Sequence, residues 1–570
     1  MYLLNYYIDE ISKEIIKQFP NIKSNVEEIS SLIDTPKNNY GDLAIPVFKF
    51  AKELNKNPND LSIEFQEKIN LDFCKTQAVG PFVNFFFEKE KISNELLKKV
   101  DFKFENKNKR IIIEFPSPNT NKPLHIGHLR NMLLGNSVAN VLEENGYEVK
   151  RLDLINDRGV HICKSMLAYQ KWGNNKTPES ENKKSDHFVG DFYVKYAKES
   201  DEDPKLEEEV NQMLIDWENQ NKEVIDLWEK MNNWAINGMN ETFKRFNIKF
   251  DKEYRESQIY KFGKEIIIDA YEKEIAYKDE SGALIINLDE YKLPEKVLIR
   301  SNGTSIYVTQ DIFLCKKKFE DFDNDSKLEK SIYCIGNEQE TYLQQLFAIL
   351  EKLSIDKDKK CYHLSYGMVE LPDGNMKSRQ GNVIDTDNLI EEIKEIEKKE
   401  LLQRYSDLSS EELDKRSETI SMSAIRFFML KFDAKKNIVF DKNESLRFDG
   451  ETGPYAQYTY SRIRSIIKKS EIKNIDKIIF KITTENDFDL IKKLLEYTDV
   501  IIRTSKDYNV ARVAHYIIEL SQMINEYYTK NKVIGEEKNT MESRIFLLNK
   551  SISILKRALK VLDIDVLDVM

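Results

Sequence analysis

Hydrophobic residues in the first third of the chain change between two spacings. Residues 110–115 (RIIIEF) form a β-branched run typical of a strand buried in a parallel sheet. From Gly127 to Leu142, apolar residues recur at helical spacing, and Gly146 suits the C-terminal cap of that helix. Another strand is expected at 149–155. The pattern therefore predicts a β-α-β unit.

A second group of elements is expected between residues 298 and 336. Two strand-like runs joined by a turn at Gly303 are predicted within 298–315. Tyr307 and Asp311 should share one face of the second run until it gives way to a helix. Asp311 is also a candidate N-cap of that helix. A buried strand at 332–336 follows. A second set of polar residues is thus expected at strand ends.

The outer parts of the chain follow other patterns. Residues 79–87 are aromatic and β-like and end a small N-terminal unit. Residues 170–250 are polar and acidic with helical spacing, which indicates an insertion whose tryptophans form its core. Beyond about residue 400, apolar steps of three and four predict a helical bundle, clearest at 488–502, 510–527 and 545–562.

The expected fold is α/β: a Rossmann-type parallel sheet, a small α+β N-terminal domain and an all-α C-terminal bundle. We place the domains at 1–100, 101–435 (with the insertion at about 170–250) and 436–570.

Composition narrows the function only slightly. The 570 residues carry a formal charge of −11, so an RNA partner would have to be bound through local basic patches. Five widely spaced cysteines without a Cys-x-x-Cys pair indicate a reduced interior and no zinc site. Because the N-terminus lacks a basic segment before an apolar run and no stretch of about 18 apolar residues occurs, we expect a cytoplasmic protein without membrane contact.

The turn between the strand at 110–115 and the following helix has the features of a phosphate site. A helix N-terminus offers unpaired amides and a positive dipole end to an anion. His125 and His128 would lie beside it, and Gly127 lets a nucleotide approach the backbone. A metal site is disfavoured because no cysteine or carboxylate lies at ligand spacing from these histidines.

The string SPNTNKPLHIGHLR at 117–130 resembles the HIGH region of class I aminoacyl-tRNA synthetases, and specifically of the arginyl-tRNA synthetase family. Further segments resemble that family in the same order, and the resemblance covers nearly the whole chain. They are FDKEYRES at 250–257, YVTQD at 307–311 and GPYAQYTYSR at 453–462.

The resemblance implies a site for L-arginine. Asp311 would pair with the guanidinium, and Tyr307 would wall and hydrogen-bond it. The rest of the amino acid would be held by Glu114, Ser117, Pro118, Asn119, His128 and Gln339. The chain departs from the family at Tyr342, where a histidine is usual, and in the turn at 156–161, to which no roles are assigned.

The resemblance also implies an ATP site. Residues 375–379 (NMKSR) stand where the family's KMSKS-like loop is expected, but Ser378 replaces its second lysine. Lys122, three residues before the first HIGH histidine, is expected to supply the missing charge. The expected catalytic residues are Lys122, His125, His128, Lys377 and Arg379, and the ATP-binding residues are His125, Gly127, His128, Met376, Lys377 and Ser378. Mg²⁺ would accompany ATP, and no protein cage for a metal is visible.

The implied reaction is the ATP-dependent formation of arginyl-adenylate and transfer of arginine to the 3′ end of tRNA(Arg). The expected tRNA-contacting residues are Phe82 and Asn84 in the N-terminal domain and Tyr455, Gln457, Tyr458 and Arg462 in the anticodon-binding bundle. A monomer is expected by the same resemblance.

Three other functions fit the sequence less well. Cysteinyl and methionyl enzymes usually carry zinc-ligand cysteines that are missing here. A non-catalytic tRNA-binding protein would not need intact Lys122, His125, His128 and Asp311. A small-molecule nucleotidyltransferase would not need the long C-terminal bundle.

Overall fold

The computed structural model describes residues 5–36, 40–304, 306–370, 385–405, 407–447 and 449–570. The strands are β1 Leu43–Pro46, β2 Cys74–Val79, β3 Phe82–Phe87, β4 Arg110–Glu114, β5 Glu148–Ile155, β6 Lys252–Arg255, β7 Tyr277–Lys278, β8 Leu284–Ile286, β9 Lys296–Ile299, β10 Leu328–Gly336, β11 Cys361–Tyr366, β12 Val369–Glu370 and β13 Ile438–Val439. The helices of the first half are α1 Asn5–Gln18, α2 Val26–Ser30, α3 Phe48–Leu54, α4 Pro58–Lys68, α5 Lys89–Lys99, α6 Ile126–Glu144, α7 Val160–Trp172, α8 Ser185–Ser200, α9 Lys205–Glu218, α10 Lys222–Arg245, α11 Glu256–Ile259 and α12 Gly263–Glu272. The helices of the second half are α13 Tyr307–Phe322, α14 Glu340–Lys352, α15 Thr386–Arg404, α16 Ser410–Leu430, α17 Lys442–Ser445, α18 Gly453–Lys469, α19 Glu485–Asp507, α20 Ala511–Lys530 and α21 Lys538–Val561.

A five-stranded sheet forms the centre of the molecule. Its strand order is β11-β10-β4-β5-β6, and every neighbouring pair is parallel. Ile111, Ile112 and Ile113 on β4 are fully buried, as a central strand covered on both faces requires. The sheet runs in one direction from β4 through β5 to β6 and in the other through β10 to β11. The order therefore reverses between β4 and β10.

Helix α6 is buried on nearly all sides. Gly135 allows this packing, because a Cβ there would lie 2.5 Å from the ring of Phe115. Arg130 is also buried, and its guanidinium donates to the carbonyls of Gly367 at 2.6 Å and Lys436 at 2.8 Å. Helix α6 thus ties the sheet to the segments around β12 and β13.

Besides the parallel pair β12 and β13, the described residues form two smaller sheets of three strands each. Strands β1, β3 and β2 form an antiparallel sheet that packs with α1 to α5 as the N-terminal unit. Strands β7, β8 and β9 form a second antiparallel sheet before α13. The prediction of two strand-like runs at 298–315 is half wrong: β9 ends at Ile299, but the second run is helix α13, which begins at Tyr307. Asp311 lies inside that helix, so it is not its N-cap.

The insertion and the C-terminal region are helical. Helices α7 to α10 enclose an apolar core against which Trp228 and Trp234 are half-buried. Trp217 is buried beside Trp228, with ring centroids 5.5 Å apart. Helices α18 to α21 form the C-terminal bundle. The bundle contacts the N-terminal unit, since the side chain of Asn94 exchanges hydrogen bonds with the backbone of Phe480 at 2.8 and 2.9 Å.

The predicted fold class is confirmed: a parallel α/β sheet, an α+β N-terminal unit and an all-α C-terminal bundle. In the described part of the chain, every helix is too short or too polar to cross a lipid bilayer.

Candidate active site

The candidate site lies at the carboxyl ends of β4, β5 and β10. In an open parallel sheet, ligands bind where the strand order reverses, because the connections leave the sheet in opposite directions there and open a crevice. Here that position is between β4 and β10. The turns that follow these strands carry most of the residues that the sequence predicted.

Hydrogen bonds join the turn after β4 to β5 and to the turn after β5. Ser117 adopts a left-handed conformation with φ of 55°, and its amide donates to Oδ1 of Asp153 at 3.0 Å. The Asn156 side-chain amide donates to the Ser117 carbonyl at 2.8 Å, and its backbone amide donates to the Pro118 carbonyl at 3.1 Å. Asn119 bridges to Asn156 as well. The turn at 156–161, to which the sequence gave no role, therefore shapes the predicted arginine-binding turn.

His125 and His128 cap helix α6 reciprocally. Nδ1 of His125 accepts the amide hydrogen of Gly127 at 3.1 Å, and Nδ1 of His128 accepts the amide hydrogen of His125 at 3.2 Å. The rings stack with centroids 3.8 Å apart. Since Nδ1 of each ring is an acceptor, each neutral imidazole carries its proton on Nε2. Both histidines can therefore donate that hydrogen to a ligand oxygen.

The charge state of these histidines is set by burial. Burial and the nearby ammonium of Lys122 lower the pKa of His125 to about 3. Burial and His125 lower the pKa of His128 well below its usual value. Both rings are thus neutral hydrogen-bond donors before a ligand arrives.

Lys122 supplies the positive charge beside the histidines. It has no ion-pair or hydrogen-bond partner among the described residues, and burial lowers the pKa of its ammonium. A half-buried cation without a counter-ion favours an incoming anion. Gly127 also leaves room for the ring of His125, because a Cβ at position 127 would lie 3.0 Å from Cε1 of His125.

Asp311 is held by a residue that the sequence did not assign. The hydroxyl of Tyr342 on α14 donates to Oδ2 of Asp311. Burial raises the pKa of Asp311 to about 6, although the Tyr342 hydrogen bond opposes the rise. Glu114 also lies near Asp311, but it is ion-paired at 2.5 Å with the buried ammonium of Lys318. The charge of Glu114 is therefore compensated by Lys318, whereas Asp311 has no ion-paired cation among the described residues.

A second uncompensated carboxylate is Glu256, at the start of α11. Burial raises its pKa to about 7, against the opposing field of Arg158, and Asp157 and Asp311 add to the rise. Arg158 is itself paired with Glu218 at 2.8 Å. Sequence reasoning placed Glu256 within a family-like segment but gave it no role. Its signal was available only in the charge balance of the folded site.

Tyr307 and Gln339 lie at the solvent side of this region. Tyr307 is the first residue of α13 and is 77% exposed, one helical turn before Asp311. Gln339 ends a 3₁₀ turn immediately after β10 and is exposed. Both side chains are accessible to a ligand.

The predicted KMSKS-like residues Met376, Lys377, Ser378 and Arg379 lie outside the described residues, between Glu370 and Asp385. The described neighbours of that stretch are both tied to α6. Arg130 binds the carbonyl of Met368 at 3.1 Å on one side. On the other side, Asp385 forms a β-bridge with His125.

The predicted RNA-contacting residues divide by exposure. Phe82, Tyr458 and Arg462 are exposed, and Tyr455 is half-buried. Asn84 and Gln457 are not accessible to an RNA. Asn84 is 3% exposed on the central strand of its sheet, and Gln457 is fully buried and donates to the Asp565 carbonyl at 2.6 Å.

One cluster among the described residues has metal-ligand spacing: Asp186, His187 and Asp387. The ammonium of Lys184 lies within it and donates to Asp186 at 3.1 Å and to Asp387 at 2.7 Å. A lysine in this position offsets part of the negative charge that a metal ion would need. The cluster joins α8 to the start of α15.

Three family models match the chain: "Arginyl tRNA synthetase N terminal domain" over residues 5–87, "tRNA synthetases class I (R), catalytic domain" over 91–442 and "DALR anticodon binding domain" over 456–570. An arginine–tRNA ligase of Borrelia hermsii is 42% identical over 98% of this chain and 97% of its own length. That of Treponema denticola is 41% identical over 94% of each. In structure, the fold is similar to Thermus thermophilus arginyl-tRNA synthetase, with a TM-score of 0.80 and 23% identity over 99% of this chain and all of that one. The Plasmodium falciparum arginyl-tRNA synthetase gives a TM-score of 0.79 at 22% identity over 100% and 99%.

Proposed function

The chain belongs to the arginyl-tRNA synthetase family of class I tRNA synthetases, and from that premise we propose how its residues join L-arginine to tRNA(Arg). The two-step reaction forms arginyl-adenylate from arginine and ATP and then transfers arginine to the 3′ end of the tRNA. Positioning and electrostatics supply the catalysis, since no covalent enzyme intermediate is needed.

The observation that carries the proposal is the pair of uncompensated carboxylates, Asp311 and Glu256. A guanidinium is permanently charged and offers several N–H donors in a flat fork, so it suits two acidic side chains better than an ammonium does. Asp311 and Glu256 bind this group, and Tyr307 covers it from the solvent side. Lysine would leave acceptors unpaired, which disfavours it.

The backbone of arginine is placed by the turns after β4 and β10. Ser117, Pro118 and Asn119 form one wall, and Gln339 forms the other. Glu114, at the end of β4, is buried in its ion pair with Lys318, so its negative charge is already compensated. His128 lies where the amino acid and ATP meet.

ATP binds at the N-terminus of α6. The Nε2–H groups of His125 and His128 donate to phosphate oxygens, Gly127 permits close approach, and Lys122 offsets the charge that builds as pyrophosphate leaves. Attack of the arginine carboxylate oxygen on the α-phosphorus breaks the bond to the β-phosphate oxygen, giving arginyl-adenylate and pyrophosphate. Met376, Lys377, Ser378 and Arg379 are proposed to complete the phosphate site. Mg²⁺ enters as part of the MgATP substrate.

The tRNA is proposed to contact both outer units. Phe82 at the N-terminal domain (1–100) pairs edge to face with Phe48, and both rings are exposed for stacking on unpaired bases. Tyr455, Tyr458 and Arg462 present aromatic and basic groups on the C-terminal domain (436–570). The 2′-hydroxyl of the terminal ribose attacks the carbonyl of arginyl-adenylate and releases AMP. A cytoplasmic monomer is the proposed working form.

Aminoacylation tests this proposal. The purified protein should attach labelled arginine to total tRNA in the presence of MgATP, and arginine alone among arginine, lysine and glutamine should support ATP–pyrophosphate exchange. Running the exchange with and without tRNA also shows whether activation needs tRNA. Charging with lysine or glutamine, or no charging with arginine, would overturn the assignment.

A further inference from the structure

We propose that Tyr342 is a positioning residue for arginine recognition: its hydroxyl fixes Oδ2 of Asp311 and keeps that carboxylate ionised, so that Oδ1 is presented to the guanidinium. This inference rests on the proposed arginine site. The hydrogen bond from Tyr342 to Asp311 joins the start of α14 to the first turns of α13. Oδ1 of Asp311 has no hydrogen-bonding partner among the described residues.

The ring of Tyr342 is itself held in place. The ammonium of Lys296 on β9 lies 5.3 Å from its ring centroid, which is cation–π distance. Lys296 also donates to Oε1 of Gln345 at 3.0 Å, and Gln345 donates to the Pro294 carbonyl at 3.0 Å. A cation over the ring withdraws electron density and makes the phenol a stronger donor. Burial beside Asp311 raises the pKa of Tyr342, so the hydroxyl keeps its proton.

The charges around Asp311 show why a fixed donor matters. Glu114 on β4 and Glu256 on α11 both oppose its ionisation, while Lys318 on α13 favours it. Helix α12 contributes Lys264, but its ammonium donates to the Gly303 carbonyl before α13.

Tyr342 is therefore the neutral group whose hydrogen bond favours the ionised form of Asp311. Without it, Asp311 would hold a proton over a wider pH range, and arginine would have to displace that proton to bind.

The test is Tyr342→Phe, which removes only the hydroxyl. One hydrogen bond to a charged group corresponds to roughly tenfold in affinity. The KM for arginine should rise about tenfold and kcat should change less than about twofold. The acid limb of kcat/KM for arginine should move to higher pH, because Asp311 loses the hydrogen bond that favours its ionised form. Tyr342→His replaces the phenol with an imidazole N–H donor and should restore part of both effects.

Tyr254→Phe is the matched control. Tyr254 also donates to an aspartate of α13, Asp321, at 2.8 Å, so its loss loosens the same helix without touching Asp311. This variant should keep the wild-type KM and acid limb. An unchanged KM and acid limb in Tyr342→Phe, or the same shift in Tyr254→Phe, would overturn the role of Tyr342. Failure of wild-type protein to charge tRNA with arginine would instead overturn the proposed function.

Discussion

At the residue scale, the site separates neutral donors from charged groups. His125 and His128 use Nδ1 to cap α6 and are left with Nε2–H, so in the proposed ATP site they donate to phosphate oxygens without carrying charge. The negative charge is concentrated on Asp311 and Glu256, which have no cation paired to them by a salt bridge among the described residues. The proposed phosphate and guanidinium sites thus differ in charge.

This distribution predicts the pH dependence of arginine use. The folded-state pKa of Asp311 is raised to about 6 and that of Glu256 to about 7, and in the proposed site arginine binds the ionised forms. As pH falls from 7 to below 6, these carboxylates take up protons and kcat/KM for arginine should fall.

His128→Asn should lower kcat by on the order of a hundredfold. It should leave the position of the acid limb, which is the fall in kcat/KM for arginine below pH 7, unchanged. If the acid limb disappears in His128→Asn, the titrating group is the histidine and not the carboxylates.

The sequence was most informative about residues within contiguous motifs. Lys122, His125 and His128 occur in one short string, and their placement at a helix N-terminus follows from the strand before it. Glu256, Tyr342 and Lys318 were not assigned roles, because each acts through a partner distant in sequence. Their importance depends on desolvation and on charges from other strands and helices, which no local pattern contains.

At the element scale, α6 organises the site. It carries the histidines at one end and binds the segments on either side of residues 371–384 through Arg130 and His125. One element predicted from the polarity pattern was wrong. The run after Gly303 is alternating in polarity and was expected to be a strand, but it forms α13, whose i, i+4 spacing still places Tyr307 and Asp311 on one face.

Helix α15 offers a stability prediction. Glu397 is fully buried with neither carboxylate oxygen hydrogen-bonded to a described residue, and burial raises its pKa to about 8 from 4.5. Because the pKa of Glu397 is higher in the folded state than in the unfolded state, ionising this carboxyl costs more in the folded protein. The free energy of unfolding therefore falls as pH rises from 4.5 to 8, and the full cost is present above pH 8. Glu397→Gln should therefore raise the free energy of unfolding at pH 8 by roughly 2 kcal/mol or more and have little effect at pH 4.5.

Calorimetric Tm values of wild type and Glu397→Gln at both pH values check this prediction. Glu395→Gln on the same helix is the control, because Glu395 is exposed and, among the described residues, is ion-paired only with Lys398. An equal change of Tm at both pH values would contradict a titrating buried carboxyl.

At the scale of the whole molecule, the N-terminal unit and the C-terminal bundle meet each other. The Asn94–Phe480 hydrogen bonds connect them, and exposed aromatic groups lie on both. A partner that contacts Phe82 and Tyr458 together must reach across both units, as is proposed for the tRNA. The acidic net charge then makes individual exposed arginines important for binding RNA.

Arg462 tests the RNA surface of the bundle. It is exposed, and its guanidinium lies 4.9 Å from the ring of Tyr528. Arg462→Gln should raise the KM for tRNA several-fold, leave the KM for arginine unchanged and reduce the salt dependence of tRNA binding by about one counterion. Lys222→Gln, which removes an exposed positive charge from the insertion, is the control for charge alone. Equal effects of both substitutions would argue against a specific contact at Arg462.

The arginine site is the central claim, and the arginine affinity of Asp311→Asn tests it most directly. Asparagine keeps the size of the side chain and an oxygen that can accept from Tyr342, so only the charge is lost. Isothermal titration with arginine should show a loss of affinity of about a hundredfold, as expected when a charged partner in a desolvated pair is neutralised, while Tm stays near that of wild type. An arginine affinity equal to that of the wild type would contradict the account.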